Sequence, residues 1–293
     1  GADIQAASRT PEAPAAVCPG CGASPEAIDG YCAHCGMKQP DPHDHIELEL
    51  EGLGAVTDRG LQHHRNEDAV AIAVEGTGDA RTSVVVVCDG VSSTADSHLA
   101  ARAASTAACD RLRTVAPHRA DEAMLRAALV DAVAAAQAAV VPIPAHGAET
   151  PSCTIVATLA LPHGPDAVLV ATAWLGDSRA YVLTGDAVVQ ITVDDSWATE
   201  QVAAGTPVAE AFADPRSHSI TRWLGADAPD VEPHVDLRVV RRDDRLLLCS
   251  DGLWNYAATS EELAKHIEGI AEAPIELART LTAFAREQGG HDN

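Results

Sequence analysis

The chain has 293 residues, 46% of them hydrophobic and only 3% aromatic, so it can bury a sizeable core of aliphatic side chains, enough for one full domain and a smaller module. Its formal net charge of -23 argues against nucleic acid and anionic membrane as partners, because both are bound by basic surfaces. Such a charge attracts divalent cations, although a solvated acidic surface accounts for it equally. No apolar run approaches about 18 residues and no basic-then-apolar leader opens the chain, as expected of a cytoplasmic protein.

Residues 1–17 are rich in Ala, Pro and Ser and read as a disordered N-terminus. CPGC (Cys18, Cys21) and CAHC (Cys32, Cys35) follow, separated by ten residues rich in turn formers. This is zinc-ligand spacing: four thiolates complete a closed tetrahedral shell, so the ion would be structural, with a redox dithiol or a disulfide pair as the alternative. Gly22 and Gly36, after each pair, permit the tight turn that aims two thiolates at one ion. A zinc ribbon is thus predicted over 18–37, with KQPDPHDH (38–45) as a linker. The remaining cysteines, Cys88, Cys109, Cys153 and Cys249, lie in apolar or small-residue stretches and are expected to be buried and inert.

From Ile46 the chain is continuous. IELELEG alternates in strand fashion, AVAIAVEG follows, and VVVVCDG reads as a buried strand. The period then changes: SHLAARAASTAACDRLRTVA and ADEAMLRAALVDAVAAAQAAVV have helical spacing and are separated by Pro117. Strand-like text resumes with CTIVATLAL, AVLVATAWLG, RAYVLTG and AVVQITV, and shorter helices are predicted over 199–211, 260–268 and 274–287. Mixed strands around paired helices imply an α+β layered fold.

Two of the strands end on carboxylates, in VVVVCDGVSS (Asp89) and RLLLCSDGLW (Asp251). One Asp-Gly is an ordinary turn signal; two suggest a shared polar site. Asp68 in HHRNEDAV, Asp177 in WLGDSRAY and Asp292 in GGHDN also stand at strand or loop junctions. Dispersed carboxylates that converge need a cation to offset their repulsion, and hard oxygen donors favour magnesium or manganese. No GxSxG, Walker or HExxH motif is present, so serine acyl chemistry, P-loop nucleotide hydrolysis and zinc proteolysis have no anchor.

The ordered blocks TDRGLQHHRNEDA, VVVVCDGVSS, PSCTIVATLAL, WLGDSRAY, ITVDDSW, SITRWLGAD, LLLCSDGLW and GGHDN resemble the metal-dependent protein serine/threonine phosphatases of type 2C, from about residue 54 to 293. The resemblance implies a four-layer α-β-β-α sandwich over 46–293, in a family whose members continue into a further strand. It also implies hydrolysis of phosphoserine and phosphothreonine in proteins by water activated between two Mn2+ or Mg2+ ions. Carried over residue by residue, Asp89 is the bridging ligand, the Gly90 carbonyl binds the second ion, Asp251 and Asp292 complete the first, and Glu67 and Asp68 hold waters outside them. Three positions, His63, Ser92 and Ser93, depart from the pattern. His63 stands where the phosphate-gripping arginine is usual, leaving His63 or the nearby Arg65 for that role, or His63 as a solvated loop residue. Ser92 and Ser93 replace glycines, and Glu149 is either a ligand of a third ion or an exposed loop residue. Asp177 and Arg179 are expected to fix a turn by a local ion pair, and Asp194 and Asp195 to be structural. The partners implied are phosphorylated substrates of a serine/threonine kinase, with the ribbon as a possible docking element. The competing reading is a catalytically weak module of the same fold that binds phosphorylated partners.

Overall fold

The computed structural model describes residues 3–6, 17, 18, 20–23, 27, 28, 31–37, 39, 41–91, 93, 94, 96–115, 121–146, 149–185, 187–269 and 273–293. Strand β1 (Asp3–Ala6) comes first, and β2 (Ala27–Ile28) and β3 (Tyr31–Cys32) form a small hairpin in the cysteine module. Most of the segment expected to be disordered lies outside the described residues, but Asp3–Ala6 add an antiparallel edge strand to β6 (Ala69–Glu75). Backbone pairing of this kind asks little of side-chain composition.

β4 (His45–Leu50) and β5 (Leu53–Asp58) are the hairpin that IELELEG announces, with Leu48 buried and Glu47 and Glu49 turned outward. The domain begins earlier than the linker reading had it. The Arg59 N–H donates to the Asp44 carbonyl at 2.7 Å and the Asn66 amide to the His43 carbonyl at 3.1 Å, so residues 41–45 are anchored to the loop after β5.

β7 (Thr82–Cys88), β8 (Ser152–Cys153), β9 (Ile155–Pro162) and β10 (Ala167–Leu175) follow, then β11 (Arg179–Leu183), β12 (Val188–Gln190), β13 (Leu224–Gly225), β14 (His234–Arg241) and β15 (Arg245–Cys249). Six strands form one antiparallel sheet in the order β1-β6-β7-β9-β10-β14. Its outer face is covered by α1 (Ser97–Leu112) and α2 (Glu122–Val140). Ala100, Ala104 and Ala108 of α1 and Leu125, Leu129 and Val133 of α2 pack in one cluster with Val84, Val86 and Ala171 of the sheet. The small alanines let helix and sheet approach closely. Helix α2 is long and apolar enough to cross a membrane by length and composition, yet its buried face is part of this core.

On the inner face lies a second layer in two pieces, the sheet β12-β11-β15 and the hairpin β4-β5. Val156 and Trp174 pack on Val182 and Ile191 across the first interface, and Val70 and Ile72 on Leu48 and Ala55 across the second. The fourth layer is helical. Leu263 of α6 (Ser260–Ile267) and Leu277 and Leu281 of α7 (Pro274–Glu287) cover Tyr181, Leu183 and Cys249, which completes the α-β-β-α sandwich. Between β5 and β15 the two pieces are separated by an apolar cavity of 390 Å³ lined by Val70, Val85, Val87, Leu246, Leu248 and Leu281, among others. The helix predicted over 199–211 is instead two short ones, α3 (Trp197–Ala203) and α4 (Val208–Ala213). Gly205 and Pro207 interrupt it, since Pro has no N–H to continue the ladder. The four core cysteines are buried and free, as expected.

Candidate active site

Strand registers bring the carboxylates together. In the β6–β7 pair Ala69 faces Cys88, so Asp68, just before β6, sits beside Asp89, just after β7. Arg179 faces Cys249 in the β11–β15 pair, which sets Asp177 near Ser250 and Asp251 at the start of α5 (Asp251–Trp254). Asp89 is fixed through its backbone: its carbonyl accepts from the Thr154 N–H at 2.8 Å and its N–H donates to the Thr154 hydroxyl at 3.3 Å. Thr154 in turn contacts the Ser178 hydroxyl at 2.7 Å.

Asp292 arrives from the other end of the chain. After α7 the Gly290 carbonyl accepts from the Leu61 N–H at 2.8 Å. The Asn293 side chain then accepts from the Glu67 N–H and donates to the Arg59 carbonyl, both at 2.8 Å. His63 bridges the two acids thus aligned, Nε2 lying 3.3 Å from Asp292 and Nδ1 3.8 Å from Glu67. Gly90 is bound by contact: a Cβ there would stand 2.5 Å from the Glu67 carbonyl oxygen and 3.0 Å from Ser97. A side chain at position 90 would force Glu67 and Asp89 apart.

The electrostatics of this group are adverse on their own. Burial first, then repulsion from Asp292 and Asp251, raises Asp68 to about 8. Burial and the charges of Asp68, Asp251 and Asp177 hold Asp89 well above the usual carboxylate range. Asp251 is raised to about 6 by burial and Asp292, and Asp177 to about 7 by burial and Asp251. Oxygen donors with this much unmet negative charge fit hard divalent cations. The charges of Asp68 and Asp251 both act on Asp89, so the three acids lie close enough to repel one another.

At the mouth, a cavity of 530 Å³ is lined by His63, Arg65, Glu67 and Asp96, among others. Arg65 is half-exposed there, whereas the structure engages His63 with Glu67 and Asp292. Glu149 is exposed on the loop before β8 and meets none of the cluster's side chains among the described residues. Ser93 is exposed; Ser92 lies outside the described residues. The expected ion pair of Asp177 with Arg179 is corrected. Arg179 instead clamps Asp194, with contacts of 2.7 to 3.1 Å, and lies 3.9 Å over the Trp254 ring. Strand β11 points this side chain at the loop fifteen residues on, while the Asp177 carbonyl accepts from the Trp254 indole N–H at 2.9 Å. Asp195 is structural, its carboxylate accepting from the Gly176 N–H at 3.0 Å and from His234 at 2.8 Å. Sequence reasoning assigned no role to Thr154, Ser250 or Asn293, although each stands in or beside a motif it quoted.

The cysteine module has its own geometry. Cys18, Cys21, Cys32 and Cys35 have all four Sγ atoms within 4.8 Å of one another, with 3.5 Å between Cys18 and Cys35 and 3.7 Å between Cys21 and Cys32. A tetrahedral zinc–thiolate site, with Zn–S of about 2.3 Å, has edges of about 3.8 Å. Gly22 and Gly36 occupy the left-handed region at φ of 69° and 73°, as the turns require. Against the desolvation that would raise it, hydrogen bonds from the Cys21 and Gly20 N–H groups and from Gln39 lower the Cys18 thiol to about 6. The cluster could hold a metal ion.

Fold and site together define a two-sheet sandwich carrying a cluster of carboxylates at one end. The family model described as protein phosphatase 2C matches residues 60–282, and the chain belongs to that family. The structure is similar to a crystal structure of the Mycobacterium tuberculosis serine/threonine phosphatase PstP/Ppp, with a TM-score of 0.62, 28% identity and coverage of 81% of this chain and 92% of that one. A structure of the PstP catalytic domain in complex with two manganese ions superposes with a TM-score of 0.57 at 27% identity, covering 81% of this chain and 92% of that one. Protein phosphatase PhpP of Streptococcus pneumoniae is 37% identical over 126 residues, 41% of this chain. The chain spans about half the length of that curated relative, 48%.

Proposed function

We propose that this chain is a phosphoprotein phosphatase, cleaving phosphoserine and phosphothreonine in proteins phosphorylated by a serine/threonine kinase. The observation that carries the reading is the convergence of Asp68, Asp89, Asp251 and Asp292 on one partly buried group, with Asp68 at its buried end, whose charge calls for cations. Asp89, the Gly90 carbonyl, Asp251 and Asp292 would hold two Mn2+ or Mg2+ ions, with Glu67 and Asp68 outside them. Bound there, the ions would supply Lewis acidity toward the phosphate and an acidified water as nucleophile. The chain's own contribution is positional. Asn293 and His63 align Asp292 with Glu67, Thr154 fixes the backbone of Asp89, and Arg65 at the mouth offers its guanidinium to phosphate oxygens. Cys88, adjacent to Asp89, is no rival nucleophile, because burial and the neighbouring Cys153 push its thiol far up.

The four N-terminal cysteines would bind one structural zinc, and that ribbon would serve as a docking element; its free, metal-spaced thiols also support a reducing, cytoplasmic setting. Hydrolysis of p-nitrophenyl phosphate and of phosphoserine and phosphothreonine peptides, with and without added manganese, tests the main reading. Metal-dependent turnover of both is the expected result. Peptide binding without turnover would instead indicate a binding module.

A further inference from the structure

Asp96, on the wall of the cavity at the mouth, is the one non-glycine residue at positive φ among the described residues, at φ 64° and ψ 22°. That conformation is disfavoured for a residue with a side chain and persists where surrounding contacts hold it. Helix capping is not what holds it: Asp96 stands at the N-cap of α1 but its side chain makes no capping bond. The carboxylate is turned into the mouth, accepting from His146 Nδ1 at 2.7 Å and facing Arg65 NH1 at 3.8 Å. Arg65 is further held by His98, whose two ring nitrogens lie 3.3 and 3.5 Å from NH1. Burial, then the charges of Arg65 and Arg102, lower His98 to about 4, so this ring stays neutral and leaves the guanidinium charge to Asp96.

Resting on the reading that this mouth receives a phosphomonoester, we propose that Asp96 is a resident anion: its carboxylate, bonded to His146 and 3.8 Å from Arg65 NH1, screens the Arg65 guanidinium in the free protein, and substrate phosphate competes with it for that charge. The exchange favours one class of ligand. An incoming carboxylate or other monoanion gains from Arg65 about what Asp96 gave up, whereas a phosphate dianion brings more charge and three acceptor oxygens. Asp96 would therefore act as a selectivity filter for phosphomonoester dianions over the acidic side chains that flank many phosphorylation sites.

The test uses the full chain loaded with manganese and compares wild type with Asp96→Asn, Asp96→Gly, Arg65→Ala and the Arg65→Ala/Asp96→Asn double variant. Asn tolerates the left-handed backbone and Gly relieves it, so two routes remove the charge with opposite demands on the loop. Inorganic phosphate affinity is measured by calorimetry, and KM is measured for a phosphoserine peptide. Both Asp96 variants should tighten phosphate binding about three- to tenfold and lower KM by a similar factor, while the double variant shows no tightening relative to Arg65→Ala. Unchanged or weakened phosphate affinity in both Asp96 variants, with circular dichroism unaltered, overturns the proposal. Equal tightening in the Arg65→Ala background does so too, because Asp96 would then act by general repulsion. Calorimetry needs no turnover: Arg65-dependent tightening in a protein that does not hydrolyse phosphoesters would retire the phosphatase reading and leave the Asp96 assignment standing.

Discussion

Replacing Gly90 by Ala perturbs the site without touching a charge. The new Cβ would lie 2.5 Å from the Glu67 carbonyl oxygen and 3.0 Å from both the Ser97 carbonyl carbon and its Cβ. Ordinary contact begins near 3.4 Å, so the loop carrying Glu67 or the turn carrying Asp89 must yield by about 0.9 Å. Helix α1, starting at Ser97, blocks movement to the other side. Overpacking of this kind costs about 1–3 kcal/mol, which lowers Tm by about 2–4 °C per kcal/mol in a domain of this size. The catalytic loss should be larger in proportion, since a displacement of about 1 Å between reacting groups costs on the order of a hundredfold in rate. Steady-state hydrolysis of p-nitrophenyl phosphate at saturating manganese, beside a thermal melt, reads both effects. A Gly90→Ala protein with wild-type kcat would show that the contact between the first Asp-Gly turn and the NED loop does not set the site's geometry.

Asp89→Asn should abolish manganese-dependent turnover while raising the Tm of the metal-free protein, because it removes one of the mutually repelling carboxylates; retained activity would refute the bridging role. In the metal-free protein, Asp68 and Asp251 are raised from 3.8 to about 8 and about 6, so the folded state holds protons that the unfolded chain has released. That stabilisation is complete below about pH 4 and is lost as pH rises toward 8: Tm in chelator should fall from pH 5 to pH 8, less steeply in Asp89→Asn, and a flat profile would count against the clustering. Replacing Cys18, Cys21, Cys32 and Cys35 by Ser, which keeps β1 on β6 and the Asp44 and His43 contacts, should remove about one zinc per chain by elemental analysis and leave turnover of a small phosphoester largely unchanged. A dead variant would tie the cysteine module to catalysis. His63→Ala should lower kcat about tenfold or more, as loss of a partner that orients a metal ligand does; a raised KM at unchanged kcat would return His63 to the phosphate-binding role.

The parts legible in the sequence were those whose signal is local. Two apolar runs ending in Asp-Gly exposed Asp89 and Asp251, and two CxxC pairs exposed the ribbon, because in each case the residue type conflicts with its immediate surroundings. Pairing was less legible. Arg179 was matched with the acid two residues away, when alternation along β11 carries it to Asp194, and no local pattern announces that Asn293 closes on Glu67 across the whole domain. Asp3–Ala6 and the anchored residues 41–45 were missed for the same reason: their composition is that of a loop, and their partners, β6 and Arg59, lie far along the chain. Conflict with local preference is therefore the more informative signal here. A sequence that places Asp68, Asp89 and Asp251 where burial and mutual repulsion raise all three keeps an arrangement that opposes folding in the absence of a cation, and such exceptions to otherwise consistent local rules mark functional sites. Asp96 has the same character on a smaller scale, since its backbone strain is explained by no cap and by no turn glycine. Asp96, His63 and Glu67 line one cavity, and His63 reaches from it to Asp292, so the strained residue and the crowded acids meet at the same opening.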